Sequence, residues 1–278
     1  LPARHLICAV TETANRVSVR IREEALRKQL MEMLDGIGEC EGCILRAAAA
    51  NTQTDILKRE AKIQIEAWRQ IQEFFEGDDP NLIMLGPDAV QRTLSDHAGA
   101  IIDRIEVTTM EHFQEIEEWC EVYAPDLVTK IMPVELPDPQ MELGLFSLRD
   151  IMGQIEALLQ PYAVLLGGGT LILQHTAALT VIDVNRGGDD SPVFEVNRQA
   201  AEEIARQLRL RNLGGAIIID FLKLKKAEQT KLKKAMEDFV NNDPCTVQVH
   251  GFTKLGLMEL TRSRRTPPLL ERFEAFVE

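Results

Sequence analysis

The 278-residue chain lacks long apolar runs: stretches such as Tyr162 to Leu166 and Ala216 to Ile219 fall far short of the roughly 20 residues that span a bilayer. No basic segment followed by an apolar core opens it as a secretory signal would, so a cytoplasmic protein without a membrane span is expected. Cysteine is sparse. Cys8, Cys40, Cys43, Cys120 and Cys245 are odd in number and widely spaced, which suits reduced thiols rather than a disulfide framework. Cys40 and Cys43 form a CxxC, yet a four-ligand zinc site needs a second pair that the chain does not contain. Also missing is any Gly-Lys-Ser/Thr ending to the Gly167-Gly168-Gly169 run, which argues against ATPase or GTPase chemistry and for a hairpin turn. Aromatics make up only 5% of the chain, so few side chains are available to stack on bases.

What is present is globular composition, 45% hydrophobic and 27% charged, with a net charge of -13. That acidity is uneven. Between Glu203 and Lys234 nine basic residues stand against three acidic ones, so a basic stripe lies on an acidic body. Such a stripe can focus a polyanion onto one face, although charge runs are as often plain solvated helix surface.

The order of elements predicts a mixed α/β fold. Alternation at His5 to Val10 and Arg16 to Ile21 reads as strands, followed by an amphipathic helix over Arg22 to Leu34 and a short strand at Cys43 to Arg46. A long helix follows from Thr54 or Asp55 to Gly77. Asn81 to Leu85 and Ile101 to Val107 read as further strands, and Glu111 to Tyr123 and Leu148 to Leu159 as helices. His112 and Glu115, three apart, lack a completing ligand and read as exposed helix surface. From Tyr162 the pattern becomes sheet-like, with Tyr162 to Leu166, Thr170 to Gln174 and Ala178 to Val184 as strands.

Two apolar runs each end in aspartate: Leu179-Thr180-Val181-Ile182-Asp183 and Ala216-Ile217-Ile218-Ile219-Asp220. Between them lies one amphipathic helix that begins at Asn197 and is closed by Gly214-Gly215, a β-α-β unit. Such crossovers join parallel strands, so both carboxylates arrive at the same sheet edge, where open α/β sheets place ligands. Two carboxylates suit Mg2+, or Mn2+, which take oxygen ligands and keep waters for a substrate phosphate. A cation so held can polarise a scissile phosphate and activate an attacking water, leaving a 5′-phosphate and a 3′-hydroxyl. Asn185 can orient a metal-bound water or a phosphate oxygen. An aspartate at a strand end also caps turns, and one alone would carry little weight.

Ile182-Asp183-Val184-Asn185, Arg186-Gly187-Gly188-Asp189, Glu203 through Gly215, Ile219-Asp220-Phe221 and Gly256 through Arg262 together resemble the catalytic core of the ribonuclease E/G family. Val17 to Ile21, Leu145-Phe146-Ser147 and Gln154-Ile155-Glu156 extend the resemblance weakly over most of the chain. It implies a metal-dependent endoribonuclease of single-stranded RNA, with Asp183 and Asp220 as metal ligands and Asn185 supporting them. It further implies a 5′-sensor-like subdomain over 1–81, a ribonuclease H-like subdomain over 82–157 and a deoxyribonuclease I-like catalytic subdomain over 158–278. Arg46 matches the family's 5′-monophosphate clasp, but Ala47 and Ala3 replace its neighbouring Thr and Gly. Lys223, Lys225, Arg262 and Arg264 are expected to contact RNA backbone. The loop after Asn185 is shorter than the family's, and no counterpart of its upstream OB-fold module or downstream cysteine segment is found in the chain. A homo-oligomer fits the resemblance. A non-catalytic RNA-binding or assembly relative is the alternative, and a small-nucleotide site is disfavoured because no glycine-rich fingerprint follows a strand.

Overall fold

The computed structural model describes the chain apart from residues 10, 11, 20, 38–40, 75–81, 139, 142, 242, 265 and 278, and apart from the side chains of 274–277. Cys40 of the CxxC, Phe75, Gly77 and Asn81 lie outside the described residues. The chain divides into two units, Leu1–Leu145 and Phe146–Glu278.

The first unit holds β1 (Leu6–Cys8), β2 (Arg16–Val17), α1 (Glu24–Asp35), β3 (Cys43–Leu45), α2 (Thr54–Glu73), α3 (Ala89–Asp96), β4 (Ile105–Val107), α4 (Met110–Tyr123) and β5 (Ile131–Pro133). Its apolar side chains gather in two clusters. One joins Leu6, Leu34, Leu45 and Leu57 from β1, α1, β3 and α2; the other joins Leu94, Val107, Cys120 and Ile131. Arg4 forks onto Asp126 at 2.6 and 3.1 Å, and the buried His5 is held by Glu60 of α2 through its amide and its Nδ1. The expected strand at Asn81 to Leu85 does not form over its described residues. Leu82 and Leu85 are almost 80% exposed, because an apolar run becomes a strand only where a neighbouring strand pairs with it. Among the described residues of Arg16 to Ile21, the strand covers Arg16 and Val17, and Ser18 N–H still donates to Leu45 O.

In the second unit, α5 (Gly144–Leu148) straddles the division, and α6 (Ile151–Leu159) leads to β6 (Tyr162–Val164), β7 (Thr170–His175), β8 (Leu179–Asn185), α7 (Val193–Leu210), β9 (Gly215–Asp220), α8 (Lys226–Phe239), β10 (Val247–Phe252), β11 (Met258–Arg262) and α9 (Leu269–Val277). One six-stranded sheet results, in the order β10-β11-β9-β8-β7-β6. β8 and β9 are parallel and every other neighbouring pair is antiparallel. The period-2 geometry of strands sends Ile182 and Val184 of β8, Ile217 and Ile219 of β9, and Met258 and Leu260 of β11 to one side. There they pack against Ile204 and Leu208 of α7 and Leu232 and Met236 of α8. The opposite face carries Gln174, Asp183, Asn185, Asp220, Glu259 and Thr261, all exposed.

Two details of the crossover differ from expectation. Helix α7 begins at Val193, after Pro192, rather than at Asn197. Its end is closed by Asn212 in the left-handed region (φ 50°), with Leu213 N–H donating to Leu208 O, so the glycine pair is not the cap. Gly215 instead starts β9 at φ 92°.

Candidate metal-carboxylate site

Asp183 and Asp220 are direct register partners across the parallel pair β8 and β9, and both are exposed on the open face. Adjacent strands lie about 4.8 Å apart, so the two carboxylates share one patch of solvent. Two like charges about 5 Å apart in water repel by roughly 1 kcal/mol, and a bound cation converts that repulsion into attraction. Asn185, one side chain further along the same face, donates from Nδ2 to Asp183 Oδ2 at 2.8 Å. This fixes one oxygen of Asp183. All donors are oxygens, as hard divalent cations require, and among the described residues no group of three or more His, Cys, Asp or Glu assembles into a closed cage.

Local structure holds this patch in place from below. Asn197, fully buried on α7, accepts from Leu222 N–H at 3.0 Å and donates to Leu222 O at 2.8 Å. Its amide imitates a neighbouring strand and grips the chain two residues after Asp220. Sequence reading treated Asn197 as a helix cap and missed this role. Its position within an otherwise apolar stripe (Val196, Ala200, Ala201, Ile204) was the available signal. On the β8 side, Arg186 donates to the carbonyls of Asp189 and Ser191, and Asp189 Oδ1 accepts from Ser191 N–H at 2.8 Å. Hydrogen bonds from the Ser191 hydroxyl and amide hold the Asp189 carboxyl below the usual carboxylate range. Asp189 packs so tightly on the β6–β7 turn that a Cβ at Gly167 would lie 1.8 Å from its Oδ2, which explains a glycine there.

The basic candidates separate sharply. Lys223 and Lys225 follow Asp220 and are exposed, at the same end of the sheet as the carboxylates. Arg262, expected on RNA, is only 3% exposed. Its Nε and Nη2 donate to Asp243 at 3.0 and 3.1 Å and its Nη1 to Leu213 O at 3.0 Å, so no donor is offered outward. The parity of β11 explains this correction: Arg262 shares the inward face with Met258 and Leu260. Arg264 is exposed but leans on the start of β9, where Nε donates to Gly214 O at 3.2 Å. Five residues of strand, about 17 Å, separate Gly215 from Asp220, so Arg264 does not join the site.

Arg46 belongs to the first unit. Its Nη1 donates to Ala3 O and Ser95 O at 2.9 and 3.1 Å, and its Nη2 meets Asp96 Oδ1 at 3.0 Å. The fork that would clasp a phosphate is already taken by acceptors. His112 and Glu115 are exposed on α4, as expected of a solvated face. A cavity of about 570 Å³ lies elsewhere, lined by Val164, Leu166, Gln199, Arg206, Arg209 and Phe239, and does not include the aspartates. The carboxylate patch is an open surface that suits a polymer rather than an enclosed small molecule.

An aspartate pair at adjacent strand ends on an uncovered sheet face, flanked by exposed lysines, places the second unit among candidate metal-assisted phosphodiester-processing sites. The sequence narrows this further. The chain matches the Ribonuclease E/G family over residues 1–265 and belongs to that family. It is 32% identical over 273 residues to Ribonuclease G of Salmonella typhimurium (strain SL1344) and to Ribonuclease G of Escherichia coli (strain K12), covering 95% of this chain and 55% of each relative. Ribonuclease E of Haemophilus influenzae (strain ATCC 51907 / DSM 11121 / KW20 / Rd) is 31% identical over 93% of this chain and 28% of its own length. The chain thus spans about half the length of the Ribonuclease G relatives it matches.

Proposed function

We propose that this chain is the catalytic portion of a metal-dependent endoribonuclease that cuts single-stranded RNA in RNA processing or decay, leaving 5′-phosphate and 3′-hydroxyl ends. The observation that carries the reading is the register of Asp183 against Asp220 on one exposed face. Membership of a family whose relatives are named ribonucleases supports it. Asp183 and Asp220 hold Mg2+, or Mn2+, with Asn185 orienting Asp183. A divalent cation at such a site supplies Lewis-acid polarisation of the scissile phosphate. The protein's own part is positioning: Asn197 sets the chain after Asp220, and Lys223 and Lys225 neutralise neighbouring phosphates. Because Arg46 is engaged by Asp96 and by backbone carbonyls, activity depends little on a 5′-monophosphate. The described residues form no helix long and apolar enough to cross a membrane, and the reading places the protein in the cytoplasm.

The test is cleavage of a single-stranded oligoribonucleotide with Mg2+ or with chelator, beside Asp183→Asn and Asp220→Asn. Losing a carboxylate ligand removes several kcal/mol of transition-state stabilisation, so cutting should fall about a thousandfold or more in either variant. Unchanged cutting in both would refute the site. RNA binding without Mg2+-dependent cutting would identify a non-catalytic RNA-binding relative instead.

A further inference from the structure

The cross-strand row that contains the aspartates continues through two more strands. Asp220 pairs with Asp183, Asp183 with Ile172 of β7, and Ile172 with Tyr162 of β6. Directly paired residues point to the same side of a sheet, so all four stand on the open face. The burial alternation agrees: Ala163 and Leu165 are buried beneath the helices, while Tyr162 and Val164 are 47% and 64% exposed. Ile172, between Asp183 and Tyr162, is half-buried and forms an apolar floor. Two strand spacings, about 10 Å, separate Tyr162 from Asp183.

The ring stands on a braced backbone. Tyr162 O accepts from Nη2 of the buried Arg211 at 3.0 Å, and Arg211 Nη1 also donates to Gln160 O, so the end of α7 grips the strand that carries it. The chain has 2 Tyr and 2 Trp, so few rings are available to this face. Aromatic faces of this kind stack on nucleobases without choosing among them.

We propose that Tyr162, with Ile172 beside it, is the base-stacking platform of the site: it seats the base of a nucleotide close to the phosphate held at Asp183 and Asp220. The inference rests on the reading of that site as an RNA-processing centre and adds the residue that makes it select unpaired bases. A base inside a duplex is stacked on its neighbours and cannot lie on this ring. The row therefore reads as phosphate on carboxylate-bound cation at one end and base on tyrosine at the other.

The experiment has two readouts. A single-stranded oligoribonucleotide carries the fluorescent adenine analogue 2-aminopurine at each position around the cut in turn, and is titrated with the chain bearing Asp220→Asn so that it stays intact. One position should be quenched on binding; Tyr162→Ala should abolish that quench and Tyr162→Phe should keep it. With Asp220 intact, Tyr162→Ala should raise KM about tenfold, as loss of one stacked base does, while leaving kcat within about twofold. Tyr162→Phe should restore KM. The platform is refuted if no position's quench depends on the ring, or if Phe behaves like Ala. If the chain binds RNA but never cuts it, the endonuclease reading falls alone and the quench still decides the platform. If it binds no RNA, both fall.

Discussion

The two ends of β9 make opposite use of charge. At its start, Arg262 and Asp243 meet at 3.0 Å with side chains 2% and 1% exposed, and every outward option is closed. At its finish, Asp220 and Asp183 place like charges side by side and fully in view. The first arrangement satisfies the fold, since opposite charges are buried only when paired and hydrogen-bonded. In the second, Asn185 donates to one oxygen of Asp183, and two like charges still stand side by side. Like charges side by side on a well-packed sheet cost repulsion that a cation from outside would relieve, which makes this end the candidate functional one and the other the structural one.

Substitutions at the two ends should therefore fail in different currencies. The largest stability effect is expected from Asp243→Ala, which strands the buried Arg262 guanidinium and should cost about 3 to 5 kcal/mol in chemical denaturation. Activity per folded molecule should stay near normal; selective loss of activity with normal stability would erase the distinction. Asn197→Ala lies between the two ends in effect. It leaves the Leu222 amide and carbonyl without their partner and should cost about 1 to 3 kcal/mol, with a weakened metal response because Asp220 loses its anchor. At the other end Asp220→Asn, expected to lose cutting, should leave stability unchanged or raise it by less than about 1 kcal/mol through relief of repulsion. A clear drop in stability would mean that Asp220 is a structural cap after all. The smallest effect belongs to Lys223→Ala: RNA affinity should weaken slightly and the slope of log affinity on log salt should become shallower by about one phosphate contact.

The placement of Asp183 and Asp220 at one sheet edge was legible in the sequence because two short-range rules sufficed. An apolar run ending in Asp marks a strand end, and one intervening helix makes the strands parallel, so both carboxylates come to the same edge without tertiary information. For Arg262 strand parity outweighs charge: it shares the inward alternation of Met258 and Leu260, which places it inside the unit. The Arg46 contacts were not readable at all, since Ser95 and Asp96 come some 50 residues later in the chain. Asn197 was misassigned because asparagine favours helix caps, and its long-range clasp on Leu222 outweighs that local preference. The strand expected at Leu82 to Leu85 failed for a related reason: hydrophobicity proposes a strand, and only a partner makes one.

The single parallel pairing within an otherwise antiparallel sheet has a bearing on how the site comes into being. Hairpin strands such as β6 and β7 can meet as soon as a short turn closes, but β8 and β9 meet only after the whole of α7 has been made and folded across. During synthesis, Asp183 therefore leaves the ribosome as half of a site and waits for Asp220. A nascent chain halted anywhere within the crossover carries the sheet's first hairpins with Asp183 alone, and the side-by-side carboxylates appear in one step, when β9 slots in beside β8.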